Sequence, residues 1–343
     1  MKRRTALALI ASLPLAHSVR AQSSGETSSP LASPATAARL EPVLRQAQEL
    51  ATLKTVLVSV DGKRVAERAY NGNALNGSVN IKSASKSVVS ALVGMAIDRK
   101  VLESADQPIA SVLRSEFPQN PDPRLERVTI GNLLSMQSGL ARMSGSNYGR
   151  WVASRNWVRT ALGSGFDGEP GGGMLYSTGS THLLSAILTK ASGKNTLALA
   201  REWFRPLEDF RIGAWDRDPQ GIYLGGNQMA MTARSLLAFG ELYRNGGVTP
   251  SGDRLVSQSW IDQSWTQRTN SVFNGDGYGY CWFMRDMAGE KTIYAWGFGG
   301  QMLYIVPSRK LSVVMTSRED APSARTGYRD QLHGLMESII QAV

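Results

Sequence analysis

Along the chain, apolar and polar positions change period three times, and each change predicts a different element. Leu53 to Val60 and Arg64 to Tyr70 are strand-like runs joined by Asp61-Gly62, a dipeptide suited to a tight turn, and together they predict a β-hairpin. Ala37 to Leu50, just before them, has helical spacing. A second, apolar helix opens at Ser83 and runs to about Arg99, with Val88, Leu92, Val93 and Met95 among its expected buried positions. From about 102 to 250 helical patterns dominate, at Ile130–Gln137, Arg150–Leu162, Ser180–Ala191 and Ala230–Arg244, separated by loops rich in glycine and proline. Strand patterns return at Tyr278–Met284, Thr292–Ala295, Gln301–Val306 and Leu311–Thr316. The last helix carries Leu332, Leu335, Met336, Ile339 and Ile340 on one face. Mixed segments at 37–101 and 251–343 thus enclose a helical stretch at 102–250. That order predicts an α+β fold: an antiparallel sheet flanked by helices plus an all-helical lobe, with the working cleft between them.

The first residues follow another logic. Lys2, Arg3 and Arg4 precede an apolar run from Thr5 to Ala16, and Val19-Arg20-Ala21 offers small residues at the −3 and −1 positions of a cleavage site. Residues 1–21 therefore read as a secretory signal peptide, too short for a stable membrane span, and 22–36 as a flexible linker rich in Ser, Pro, Ala and Thr. The expected destination is outside the cytoplasm, periplasmic or secreted. Removing 1–21 lowers the formal charge from +10 to +6, because four basic residues and no acidic ones go with it. The remaining positive charges are scattered, with no basic run interleaved with aromatics, which argues against nucleic acid as a partner. No other apolar run reaches membrane-spanning length. With 343 residues and 42% hydrophobic content, the chain can bury a large core. The single cysteine, Cys281, lies within Tyr278–Phe283 and is expected as a buried strand residue.

Absences narrow the chemistry. The chain has no G-x-S-x-G elbow, no cluster with zinc-ligand spacing, no Walker loop and no dinucleotide fingerprint, so neither a metal nor a cofactor is implied. After the leader only His182 and His333 remain. His333, beside Gly334, is expected at the surface and His182 in a packing or capping role, so loss of either imidazole should be nearly silent. A hydrolytic base would then be something other than histidine. Ser83-Ala84-Ser85-Lys86 is the only S-x-x-K in the chain, and it opens the apolar helix. Positions i and i+3 share a helix face, which brings the lysine amine within reach of the serine hydroxyl. The helix N-terminus favours developing negative charge there. A capping serine is the plain alternative. A lysine acts as a base near neutrality only if burial or a cation lowers its pKa from about 10.4.

Further segments recur in a telling order. Val128–Leu140 (VTIGNLLSMQSGL) is followed by Gly171–Leu184 (GGGMLYSTGSTHLL), then by Asp218–Gly226 (DPQGIYLGG) and Trp296–Gln301 (WGFGGQ) before a strand ending at Pro307. This order resembles the serine β-lactamase and penicillin-binding-protein superfamily, in its class C-like branch, over about residues 40–340. It looks closest to family VIII carboxylesterases and 6-aminohexanoate-dimer hydrolases. The resemblance implies a β-lactamase/transpeptidase-like fold, with Ser83 as nucleophile, Lys86 as its lysine and Tyr176 as the proton relay. It implies an oxyanion hole from the N–H groups of Ser83 and Phe298. Thr178 stands where the family often has Asn, and Trp296-Gly297-Phe298 where β-lactamases have K-T-G. Thr178, Trp296 and Gly297 are therefore substrate-binding candidates, as is Tyr148, which either faces the cleft or is an ordinary core aromatic. The implied function is an exported serine hydrolase cleaving a small ester or amide through an acyl-enzyme. β-Lactamase or D-amino peptidase activity, or a non-catalytic exported binding module, are the alternatives. The missing third-box cation disfavours carboxylate-bearing substrates unless a loop arginine, Arg142 or Arg150, replaces it.

Overall fold

The computed structural model describes residues 34–343; the expected signal peptide and residues 22–33 of the expected linker lie outside them. The strands, in order, are β1 (Leu53–Val60), β2 (Lys63–Ala69), β3 (Ser78–Asn80), β4 (Ala214–Trp215), β5 (Met229–Thr232), β6 (Thr269–Asn270), β7 (Gly277–Tyr278), β8 (Phe283–Met287), β9 (Glu290–Gly297), β10 (Gln301–Val306) and β11 (Leu311–Ser317). The helices are α1 (Pro34–Gln46), α2 (Ser85–Asp98), α3 (Ala110–Leu113), α4 (Ile130–Leu134), α5 (Tyr148–Val152), α6 (Trp157–Leu162), α7 (Thr178–Ser192), α8 (Thr196–Trp203), α9 (Ala233–Arg244), α10 (Gln258–Ser264) and α11 (Tyr328–Ala342). Eight strands form one sheet in the order β2-β1-β11-β10-β9-β8-β7-β6, with antiparallel neighbours throughout. A smaller sheet, β3-β5-β4, leads into the nucleophile turn. The fold class is the α+β arrangement the patterns predict.

Every residue of β10 and β11 is buried, so both faces of the sheet centre are covered. Neighbouring residues of β10 identify the covers. A Cβ on Gly240 of α9 would meet Leu303 at 2.5 Å, while the Tyr304 hydroxyl lies 3.0 Å from His333 Nδ1 of α11. Successive side chains of a strand point to opposite faces, so α9 and α11 sandwich the sheet. Although α9 comes from the 102–250 stretch, it packs on β1, β10 and β11.

Several local expectations are corrected. The expected linker stops earlier, since α1 begins at Pro34, where proline's fixed φ suits a first helical turn. Ala230–Arg244 is not one helix: β5 pairs with β3 and β4, and α9 starts only after Thr232, whose hydroxyl accepts from Ser235 N–H at 3.1 Å. Arg150–Leu162 is divided between α5 and α6, the second capped by Asn156. Tyr278–Met284 is broken into β7 and β8. Cys281 is buried but sits in the turn between them at φ +64, its N–H donating to the Leu134 carbonyl at 3.1 Å. Gly279 permits that turn, because a Cβ there would stand 2.1 Å from the Ser264 carbonyl. His333 is buried rather than at the surface, because the apolar face of α11 is wide enough to include the position after Leu332.

Candidate active site

The nucleophile turn is built by a sharp change of direction. β3 ends at Asn80, whose side-chain oxygen accepts from Lys82 N–H at 2.9 Å. A 3-10 turn, Lys82–Ala84, then feeds α2. Ser83 is half-buried at the start of this run, and Lys86 is one turn further on with 1% exposure. The Lys86 amine lies 3.2 Å from Ser83 Oγ, 3.2 Å from Thr178 Oγ1 and 2.6 Å from the Gly226 carbonyl oxygen. Burial without a carboxylate partner disfavours the ammonium and lowers the Lys86 pKa to about 7, with Cys281 opposing the shift in part. At neutral pH a large share of the amine is therefore unprotonated, 3.2 Å from a serine hydroxyl.

Tyr176 is buried in the same place. The Lys86 amine stands over its ring, 5.2 Å from the centroid, and Phe273 packs edge-on at 5.1 Å. Burial raises the phenol pKa well above its ordinary value, and the neighbouring Ser83 hydroxyl reverses this only in part. Lys86 does not counter this burial, since its amine faces the ring and is itself losing its proton. Tyr176 holds its proton at neutral pH, leaving the lysine as the available base.

The other candidates take varied places. Thr178, first residue of α7, is buried, and its hydroxyl accepts from both Lys86 and Ser144 Oγ, which makes it a holder of the amine. Tyr148 is half-buried; its hydroxyl accepts from Asn227 Nδ2 at 3.0 Å, tying α5 to the loop beside Gly226. Gly297 ends β9 against the nucleophile turn, where a Cβ would stand 2.1 Å from the Ile81 carbonyl oxygen. Its role is close approach. Trp296 donates its indole N–H to Ser323 at 3.1 Å and packs against Phe273 at 5.8 Å. Phe298 follows in the turn between β9 and β10, beyond the Gly297–Gln301 pair that ends the ladder. Arg142 and Arg150 are exposed, and Arg150 lines a cavity of about 610 Å³ whose lining includes none of Ser83, Lys86 or Tyr176.

Sequence reasoning missed several participants. Gly226, at φ +79, lets its carbonyl reach Lys86, for a Cβ there would be 2.5 Å from both Lys86 Cγ and Thr181 Oγ1. Behind it, His182 Nε2 lies 3.1 Å from Asp218 Oδ2, and Gly225 N–H donates to His182 Nδ1 at 3.4 Å. This ring fixes the loop that carries the Lys86 acceptor. Phe273 was also missed, on the loop between β6 and β7. Among the described residues the exposed large apolar side chains are Val272 (56%), Phe273 (44%) and Phe298 (47%). The only signal for Phe273 is the apolar pair Val272-Phe273 between polar turn residues.

The fold agrees with comparisons to known proteins. A solved structure assigned as a 6-aminohexanoate-dimer hydrolase of Bacillus anthracis is 19% identical, covers 87% of this chain and 80% of its own, and superposes with a TM-score of 0.69. EstCE1, described as a hydrolase with promiscuous acyltransferase activity, is 18% identical over 90% of this chain and 98% of its own, with a TM-score of 0.70. A structure assigned as a beta-lactamase of Bacteroides dorei is 16% identical over 89% and 98%, with a TM-score of 0.72. At such identities the likeness is one of fold. No curated protein matches the sequence. The Beta-lactamase family matches residues 54–335, a span that includes the serine–lysine turn, Tyr176 and the turn after β9, and the chain belongs to that family.

Proposed function

We propose that this protein is an exported serine hydrolase that cleaves uncharged esters or amides through an acyl-enzyme on Ser83. The observation that carries the reading is the buried Lys86 amine, 3.2 Å from Ser83 Oγ and with a pKa near 7. In the acylation step neutral Lys86 takes the Ser83 proton as Oγ adds to the substrate carbonyl carbon. The oxyanion is received by the N–H groups of Ser83 and Phe298. Tyr176, still protonated, lies beside Ser83 and passes a proton to the leaving group, regaining one from the Lys86 ammonium. Water then attacks the acyl-enzyme by the same route in reverse, releasing the acid. Export is supported by the basic and apolar pattern of residues 1–21.

The rim of the site disfavours charged substrates. Phe273, Trp296 and Phe298 are apolar or aromatic, and Lys82, the cation at the nucleophile turn, already pairs with Glu319 at 3.1 Å. A substrate carboxylate placed there would lose water without gaining a partner. The test is labelling with a fluorophosphonate probe followed by peptide mass spectrometry. An adduct on Ser83, together with a loss of ester turnover on the order of 10⁶-fold in Ser83→Ala, is expected. An adduct on Ser85 or Ser177, or none, refutes the reading.

A further inference from the structure

We propose that the ion pair between Lys82 and Glu319 is a positioning device: it holds the turn that carries the Phe298 N–H at a fixed distance from Ser83. This inference rests on the acyl-transfer reading above. Lys82, the residue before the nucleophile, has φ +51. An L side chain is uncommon in that region, and such a conformation persists only where the surroundings impose it. The surroundings here are specific. Lys82 N–H donates to Asn80 Oδ1 at 2.9 Å, and its amine reaches Glu319 Oε2 at 3.1 Å and Gln228 Oε1 at 3.3 Å. The other carboxylate oxygen of Glu319 accepts from Asn80 N–H at 3.3 Å. One carboxylate thus holds both ends of the segment that turns into Ser83.

The same two segments grip the turn after β9. At one end Gly297 lies against Ile81, where a Cβ would be 2.1 Å from the carbonyl oxygen. At the other, Gly299 (φ +82) lies against Arg318 and Glu319, where a Cβ would be 2.4 Å from the Arg318 carbonyl and 3.1 Å from Glu319 Cα. Phe298 is between these contacts. Any change in the separation of Lys82 and Glu319 is therefore passed to the Phe298 N–H. An oxyanion hole depends on that distance, since its donors must stand at about 2.7–3.1 Å from the oxygen as charge develops. The paired side chains retain 19% and 29% exposure, so the pair also tolerates substitution without leaving a deeply buried charge.

The experiment uses Glu319→Gln, Lys82→Met and the reversed pair Lys82→Glu/Glu319→Lys in the full chain. Steady-state turnover of p-nitrophenyl butyrate is compared with the affinity of an aryl trifluoromethyl ketone. In that adduct Ser83 Oγ bonds to the carbonyl carbon, the serine proton passes to Lys86 and the carbonyl oxygen becomes the oxyanion. Each single variant is expected to lower kcat by roughly 10- to 100-fold with KM within about threefold, the size of effect that a misplacement of an ångström or less produces. Ketone affinity should fall by the same factor, with Tm nearly unchanged, and the reversed pair should recover part of both losses. Unchanged ketone affinity overturns the inference, as does a parallel collapse of Tm, kcat and KM, which would mark a merely structural pair. If the unaltered protein itself neither binds the ketone nor reacts with a fluorophosphonate, the acyl-transfer reading falls, and this inference with it.

Discussion

At residue scale the proposed acyl transfer turns on the desolvated Lys86 amine, 3.2 Å from Ser83 Oγ. The Lys86 pKa is lowered from its ordinary value to about 7, so the neutral form, the base of the proposed mechanism, grows as pH rises through that value. Turnover should climb along a limb near pH 7 and level off above it, as a pH–rate profile would show; a flat profile from pH 5 to 9 would contradict it. The same shift has a consequence for stability. Between about 7 and the ordinary lysine value the folded chain binds fewer protons than the unfolded chain, so stability rises with pH across that window. At and below pH 7 the burial of Lys86 costs on the order of 5 kcal/mol, reduced by its hydrogen bonds. Lys86→Met should therefore be inactive yet raise Tm at pH 6 by roughly 2–6 °C, with the gain shrinking toward pH 10. Differential scanning calorimetry at the two pH values checks this. His182 supplies the opposite case. Its buried ring bridges Asp218 and Gly225 N–H, so the expectation of a silent substitution is withdrawn. His182→Ala should destabilise the fold by about 3 kcal/mol or more, since it leaves a buried acceptor short of a partner and a cavity beside Trp151 and Trp157. Urea denaturation measures the loss. The limb near pH 7 should persist in the folded fraction, because the base of the proposed mechanism is Lys86 and not the imidazole.

At the scale of elements, the site is a meeting of backbones made possible by glycine. β9 reaches the nucleophile turn only because Gly297 has no side chain to set against the Ile81 carbonyl, 2.1 Å from where a Cβ would be. Gly297→Ala should push the end of β9 outward and move the Phe298 N–H with it. A loss in kcat of about 100-fold or more is expected, the order found when one oxyanion donor is removed, with the β-sheet signal in circular dichroism retained. Retention of full activity would show that β9 does not set the hole. α2 was legible because its apolar run is long and local. The break between β7 and β8 was not, because it depends on Gly279 meeting Ser264 from a different element.

For the whole molecule, the question is which substrates the assembled rim admits. Phe273 and Phe298 are exposed, while Lys82 is held by Glu319. Benzylpenicillin brings a carboxylate and p-nitrophenyl butyrate does not. A charge-assisted hydrogen bond is about twice as strong as a neutral one, and its absence should disfavour the penicillin. The ester is expected to have the higher kcat/KM by at least about tenfold, and steady-state kinetics giving the reverse order would refute the preference. Arg150, one of the two loop arginines that could replace the missing cation, lines a cavity with Arg155 and Arg159 whose lining includes none of Ser83, Lys86 or Tyr176.

What the sequence by itself determined is whatever depends on short spacing and order. The i, i+3 placement of Ser83 and Lys86, the Asp61-Gly62 hairpin and the apolar face of the last helix each lie within a short stretch of chain, where local geometry leaves few alternatives, and the order of the glycine-rich segments is read directly along it. The tertiary structure decided what those residues are worth chemically. Lys86 acquires its partners from Thr178 and Gly226, 92 and 140 residues away, and its pKa from the exclusion of water around it. His333 is buried by a sheet formed elsewhere in the chain, and Phe273 is placed by a loop with no periodic pattern. Lys82 meets a carboxylate 237 positions further along the sequence. Desolvation and long-range pairing are properties of the packed environment, and a linear pattern encodes that environment only through the fold.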